Sequence, residues 1–159
     1  MVKDPQGTTL QLRRTVAAPP ETVFRAWTDP EWFAQWFGPP DGSTSVTELD
    51  ARVGGAYRVE LSSAEGSGCL FGTYLEVTRP QRLVYTFCWE GLPVEIAETR
   101  VTVEFHDRDG ATEIVLTHER QPSRGVRAFH ERGWTMSLDR LAALVASATP
   151  GGSSSSRRP

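Results

Sequence analysis

Residues 101–145 read VTVEFHDRDGATEIVLTHERQPSRGVRAFHERGWTMSLDRLAALV, and the apolar period changes once inside this stretch. Val101, Val103 and Phe105 alternate with Thr102 and Glu104. Beyond Asp107-Arg108-Asp109-Gly110, Ile114, Leu116 and His118 alternate with Glu113, Val115 and Thr117. Period two on both sides of a short Asp/Gly turn predicts an antiparallel hairpin. From Arg124 onward the spacing becomes three and four: Phe129, Gly133, Trp134, Ser137, Leu138, Leu141, Leu144 and Val145. Arg124, Arg127, Glu131, Arg132, Asp139 and Arg140 occupy the other positions, which predicts one long amphipathic helix.

Upstream of the hairpin the same period-two pattern runs back to Ser43. Leu83, Tyr85, Phe87 and Trp89 alternate with Val84, Thr86 and Cys88, and Tyr57, Val59 and Leu61 with Arg58 and Glu60. Gly54-Gly55, Gly66-Ser67-Gly68, Arg79-Pro80 and Gly91-Leu92-Pro93 separate these runs with turn chemistry. One face apolar and the other polar is the signature of a half-solvated antiparallel sheet. Before the sheet come two helix starts. Pro19-Pro20-Glu21 precedes Val23, Phe24 and Trp27, and Asp29-Pro30-Glu31 precedes Trp32, Phe33, Trp36 and Phe37. Residues 9–17, TLQLRRTVA, predict a first strand with Leu10, Leu12 and Arg14 on one side.

The order is therefore strand, two short helices, about six strands and a long helix, an α+β architecture in which the last helix must cover the apolar face of the sheet. Residues 1–149 form one domain on this reading. The run from Pro150 to Pro159 lacks the apolar residues needed to pack and is expected to be a disordered tail.

Composition narrows the function classes. The net charge of −3 argues against nucleic acid, whose phosphates normally need a basic face, and leaves room only for a local basic patch, so nucleic acid is not an expected partner. No apolar run approaches a membrane span and Met1–Gly7 has no signal core, so no membrane is expected and a cytoplasmic location is the simplest. Cys69 and Cys88 lie in separate strands, consistent with reduced thiols rather than a disulfide or zinc site. No nucleophile elbow, phosphate loop, dinucleotide fingerprint or metal pair is present, and neither metal nor cofactor is expected.

Aromatic residues dominate the inner parity positions. Each is either core packing or the wall of a cavity between sheet and helix. Trp32, Trp36, Tyr57, Tyr85, Phe87, Trp89, Phe105, His118, Trp134 and Leu138 are the candidate lining. His118 shares the parity of Leu116 and should face inward as a neutral ring with valence left for a ligand or a proton transfer. Trp36, on the second short helix, is expected to cap the cavity. Glu95 and Glu98 are carboxylates at a strand start, and Arg120, Arg124, Arg127 and Arg132 form a basic cluster. Gly133 costs about 1 kcal/mol inside a helix, which close packing or an opening for ligand would explain.

Five stretches resemble, in order, bacterial proteins similar to the C-terminal domain of the activator of Hsp90 ATPase, within the START-like, Bet v 1-like superfamily. They are AAPPETVFRAWTDPEWFAQWFGP (17–39), ARVGGAYRV (51–59), FGTYLEVTRPQRLVYTFCW (71–89), GATEIVLTHE (110–119) and HERGWTMSLDRLAALV (130–145). The resemblance implies a helix-grip fold, a curved antiparallel sheet wrapped around the C-terminal helix. It implies three functions in order of preference: binding a hydrophobic or aromatic small molecule, a cyclase- or hydrolase-like reaction in the same cavity using His118, Tyr85 or Glu98, and a co-chaperone contact. A homodimer is common enough to be expected.

Overall fold

The computed structural model describes residues 8–39, 41–64, 66–91 and 98–148. The elements are β1 (Leu10–Val16), α1 (Pro20–Thr28), α2 (Pro30–Trp36), β2 (Ser43–Leu49), β3 (Ala56–Ser63), β4 (Gly66–Thr78), β5 (Arg82–Trp89), β6 (Glu98–Arg108), β7 (Ala111–Glu119) and α3 (Arg124–Ala148). The seven strands make one antiparallel sheet in the order β1-β7-β6-β5-β4-β3-β2. Only the placement of β1 beside β7 departs from a simple meander, and it is fixed in register from Leu10 opposite His118 to Val16 opposite Thr112. The helix-grip architecture expected from the period change is the one observed. Glu95, the Leu92-Pro93 part of one expected turn and the expected tail lie outside the described residues.

Local chemistry accounts for the two short helices. Asp29 closes α1, its N–H bonding to the Arg25 carbonyl, and opens α2, its carboxylate accepting from the Glu31 N–H at 2.9 Å. Pro30 follows at a position where a helix needs no N–H. The chain then turns at Gly38, whose φ of +111° places it in a region that other residues avoid.

Register shifts between Val46 and Glu48 on β2, and between Tyr74 and Glu76 on β4, interrupt the ladder. Such bulges bend a strand and strengthen its twist. Onto the concave side the helices bring Phe24, Trp27 and Trp36, all buried, with Leu138, Leu141 and Val145 from the second half of α3. Phe105 on β6 meets Phe24 and Trp27 edge-on, each at 5.5 Å between centroids.

Polar ties hold α3 along two flanks. On the β1 side, Arg14 pairs with Asp139, and the Arg127 guanidinium donates to the Thr9 carbonyl at 2.9 Å. On the α2 side, Arg140 donates to the carbonyls of Gly38 and Gln35 at 2.8 and 2.9 Å, so its charge sits at the negative end of α2. The first half of α3 has no such ties toward the β3–β4 hairpin among the described residues, and the sheet and helix part there.

Candidate functional site

A cavity of about 730 Å³ occupies this parting. Its floor is Phe87 and Trp89 of β5 with Thr99 of β6. Its roof is the first half of α3, from Val126 to Ser137, and its side walls are the β3–β4 turn and the Phe37-Gly38-Pro39 loop. Phe129 and Met136 stand on its border, 55% and 44% exposed, as two of the few large apolar side chains left to solvent. Gly133 also borders it, and a Cβ built there would meet nothing within 4 Å. Close packing therefore does not explain this glycine; it leaves space at the cavity. Gly133→Ala should raise stability by about 1 kcal/mol, because the helix gains propensity and nothing is displaced. A melting temperature that falls would show a contact that this geometry lacks.

Behind the floor lies a buried polar network built from two histidines and two tryptophans. The Trp134 indole N–H, which can only donate, points at His118 Nδ1 at 3.2 Å. His118 Nε2 is 2.7 Å from the Thr99 hydroxyl, which itself donates to the Phe87 carbonyl at 2.7 Å. The hydroxyl must therefore accept, so His118 carries its proton on Nε2. His130 is the opposite tautomer. Its Nε2 accepts from the Trp89 indole at 3.0 Å, and its Nδ1 donates to Gln121 Oε1 at 2.6 Å. The Gln121 amide donates in turn to the His118 carbonyl at 3.1 Å, which fixes its orientation. The two imidazoles lie 4.6 Å apart. Burial pushes His130 down to about 4. Burial, and then the neighbouring His130, hold His118 well below the usual imidazole range.

This network revises the reading of His118. The ring does face inward and is fully buried, but protein groups occupy both of its nitrogens, so no valence remains for a ligand or a proton transfer. Parity gave the side of the sheet; it could not show that an indole from α3 would meet the ring.

Of the ten candidate lining residues, Phe87, Trp89 and Trp134 border this cavity. Trp36 is a correction: it is fully buried, donates to the Ala26 carbonyl at 2.8 Å, and belongs to the core beneath α1 rather than to a cap. Trp32 lies half-buried under the Arg25 guanidinium, 4.6 Å from its ring centre. Tyr57 and Tyr85 join Tyr74 in an aromatic cluster, where burial raises each hydroxyl well above its usual range. The Tyr57 hydroxyl donates to the Thr86 carbonyl, and the Tyr85 hydroxyl accepts from Trp27. Phe105 and Leu138 pack in the core. Glu98 has the outward parity of Cys88, opposite which it pairs. His130 is not among the candidate lining residues of the sequence, although its place four residues before Trp134 on the buried stripe of α3 is a usable signal.

No group of three or more His, Cys, Asp or Glu able to hold a metal occurs among the described residues, and no described helix is long and apolar enough to cross a membrane.

Comparison with known proteins extends this picture. No curated protein matches the chain. Similar solved structures include protein CV1439 from Chromobacterium violaceum, 33% identical, with a TM-score of 0.77, covering 87% of this chain and 96% of that one. The AHSA1 protein SPO3351 from Silicibacter pomeroyi is 29% identical, with a TM-score of 0.73 and coverages of 87% and 97%. DynU16, from the dynemicin biosynthetic locus, shares the fold at 22% identity and a TM-score of 0.73; the match covers 90% of this chain and 49% of that one. The family model for activator of Hsp90 ATPase homolog 1-like protein matches residues 17–146, nearly the whole helix-grip, and the chain belongs to that family.

Proposed function

We propose that the protein binds a hydrophobic small molecule in the cavity between β5 and the first half of α3. The observation that carries this reading is the cavity itself: about 730 Å³, walled mainly by apolar and aromatic side chains, with two exposed apolar residues at its border. That size and lining match small-molecule sites in general. A reaction in the same cavity has less support. His118 is saturated by protein partners, Tyr85 is buried with its hydroxyl engaged, and Glu98 takes the outer parity, so the three acid/base candidates do not converge. A co-chaperone contact through the sheet has less support too. Among the described residues the outer face carries ion pairs, Arg82 with Glu76 and Glu104, Arg58 with Glu90, and Glu113 between Arg13 and Arg108. A contiguous apolar patch would be needed instead. A cytoplasmic protein that sequesters an apolar metabolite fits these features together.

The test is uptake of the neutral fluorophore N-phenyl-1-naphthylamine. The wild type should bind it with micromolar affinity. Gly133→Trp places a large ring where a side chain meets no neighbour. It should weaken binding at least about tenfold while leaving the melting temperature close to that of the wild type. Absence of uptake by the wild type, or equal uptake by Gly133→Trp, overturns the proposal.

A further inference from the structure

Two features of the cavity are not used by a merely hydrophobic ligand. The first is the arrangement of Trp89 and His130. Their planes differ by 3°, their centroids are 6.4 Å apart, and the indole N–H donates to the imidazole Nε2 at 3.0 Å. An N–H···N bond to an imidazole nitrogen runs along a lone pair in the ring plane. The two rings are therefore edge to edge and coplanar, forming one flat shelf that borders the cavity. Phe87 stands nearly perpendicular to both rings, at 84° and 85°, and His118 backs the imidazole at 4.6 Å, so the shelf is held rigidly from the core side. The β4 backbone runs beside the indole at ordinary packing distance: a Cβ on Gly68 would lie 3.4 Å from Trp89 Cζ3. All the hydrogen-bonding atoms of the shelf are already used within the protein. What it offers a ligand is a π-face, which favours offset stacking by another flat ring system.

The second feature is Arg132. Among the described residues it is the one charged residue that borders the cavity, and it forms no ion pair with any of them. Its neighbours in the basic cluster are differently placed; Arg127, for example, is engaged by Glu131 and by the Thr9 carbonyl.

We infer that the cavity selects a planar polycyclic aromatic acid, with its fused rings laid on the Trp89–His130 shelf and its carboxylate or phenolate directed to Arg132. This rests on the cavity reading above and adds shape and charge to it. A flat tricycle stacked on the half-buried indole extends along the plane that the buried imidazole, 5% exposed, continues, which a single ring or a puckered skeleton does not. An acid supplies a counter-charge for Arg132 at the border of the same cavity.

The experiment compares three probes by fluorescence or calorimetric titration: anthracene-2-carboxylate, the neutral anthracene-2-carboxamide, and perhydroanthracene-2-carboxylate, which keeps the acid and the skeleton but is neither flat nor aromatic. The wild type should bind the aromatic acid about five- to tenfold more tightly than either of the others. Arg132→Gln should remove the advantage of acid over amide and keep that of flat over saturated. Trp89→Leu should do the reverse. Should Trp89→Leu lower the melting temperature markedly, the wild-type ranking and Arg132→Gln still decide. Equal affinities across the three probes, failure of the aromatic acid to bind, or an Arg132→Gln variant with an unchanged preference for acid each overturn the inference. If N-phenyl-1-naphthylamine binds while the ranking is flat, only the shelf and charge selection fail; if neither it nor any anthracene probe binds, the cavity reading fails as well.

Discussion

Lowering the pH from 7.5 to 5 should destabilise the protein by about 4 kcal/mol, most of it through His118 and His130. Both rings are neutral in the folded protein, and burial depresses both, His130 to about 4. Once unfolded, each returns to an ordinary value near 6.5. The unfolded chain then binds more protons than the native one throughout the interval between 6.5 and 4. Stability is full above the unfolded value and is lost as the pH falls through the interval, by about 1.4 kcal/mol per pH unit for each ring. His130 alone accounts for about 3 kcal/mol when the interval has been crossed. The geometry explains the direction. A second proton on His118 Nδ1 would face the Trp134 indole N–H, and one on His130 Nε2 would face that of Trp89, so each protonation replaces a hydrogen bond with two opposed donors. No described carboxylate pairs with either ring; among the described residues the one histidine–carboxylate pair is His106 with Glu104 on the outer face. Urea midpoints measured between pH 7.5 and 5 test this, above the range in which ordinary carboxylates dominate. A flat profile would contradict it. Nitrogen-15 spectra at pH 7.5 give an independent check, with the proton expected on Nε2 of His118 and on Nδ1 of His130.

The architecture was legible because it depends on period and punctuation alone. Alternation from Ser43 to Glu119 and the three–four spacing after Arg124 leave little choice but a sheet covered by one helix, and Asp29-Pro30 marks a helix junction by itself. The position of the cavity was not legible, because strand parity assigns a side of the sheet and says nothing about position along it. Tyr57, Tyr85, Phe105 and Phe87 share the inner face, yet of the four only Phe87 borders the cavity, at the end where α3 parts from the β3–β4 hairpin. That separation depends on where the ties of α3 fall, and Arg140, Arg127 and Arg14 read in the sequence as an ordinary solvated face. The pairing of each histidine with an indole was hidden for the same reason. It joins β7 to α3 and α3 to β5 across distances in sequence that no local pattern encodes.

Trp36→Ala should cost about 3–5 kcal/mol and leave ligand uptake per folded molecule nearly unchanged. The sequence, which places this residue on a short helix next to Gly38-Pro39, favours the opposite outcome, a cap whose loss is felt in binding. In the fold, Trp36 has no exposed surface and does not border the cavity. Its ring meets Trp27 at 4.6 Å, Phe33 at 5.0 Å and Phe37 at 5.9 Å, all edge to face. Trp27 in turn contacts Phe105 of β6 and Trp134 of α3, at 5.5 and 6.2 Å, so Trp36 is one support through which α2 reaches the rest of the core, beside Phe37 against Trp134 at 5.4 Å. Truncation removes the transfer energy of a buried indole, opens a void under Trp27, and leaves the Ala26 carbonyl without its 2.8 Å donor. Trp27, which would border the void, is held in place by its hydrogen bond to Tyr85. Trp36→Phe separates the terms. It keeps most of the packing and loses only the donor, so it should cost about 1–3 kcal/mol. Chemical denaturation of the two variants, with N-phenyl-1-naphthylamine uptake measured on the folded fraction, decides the matter. A loss below about 1 kcal/mol for Trp36→Ala, accompanied by a large fall in uptake, would return this ring to the cavity wall.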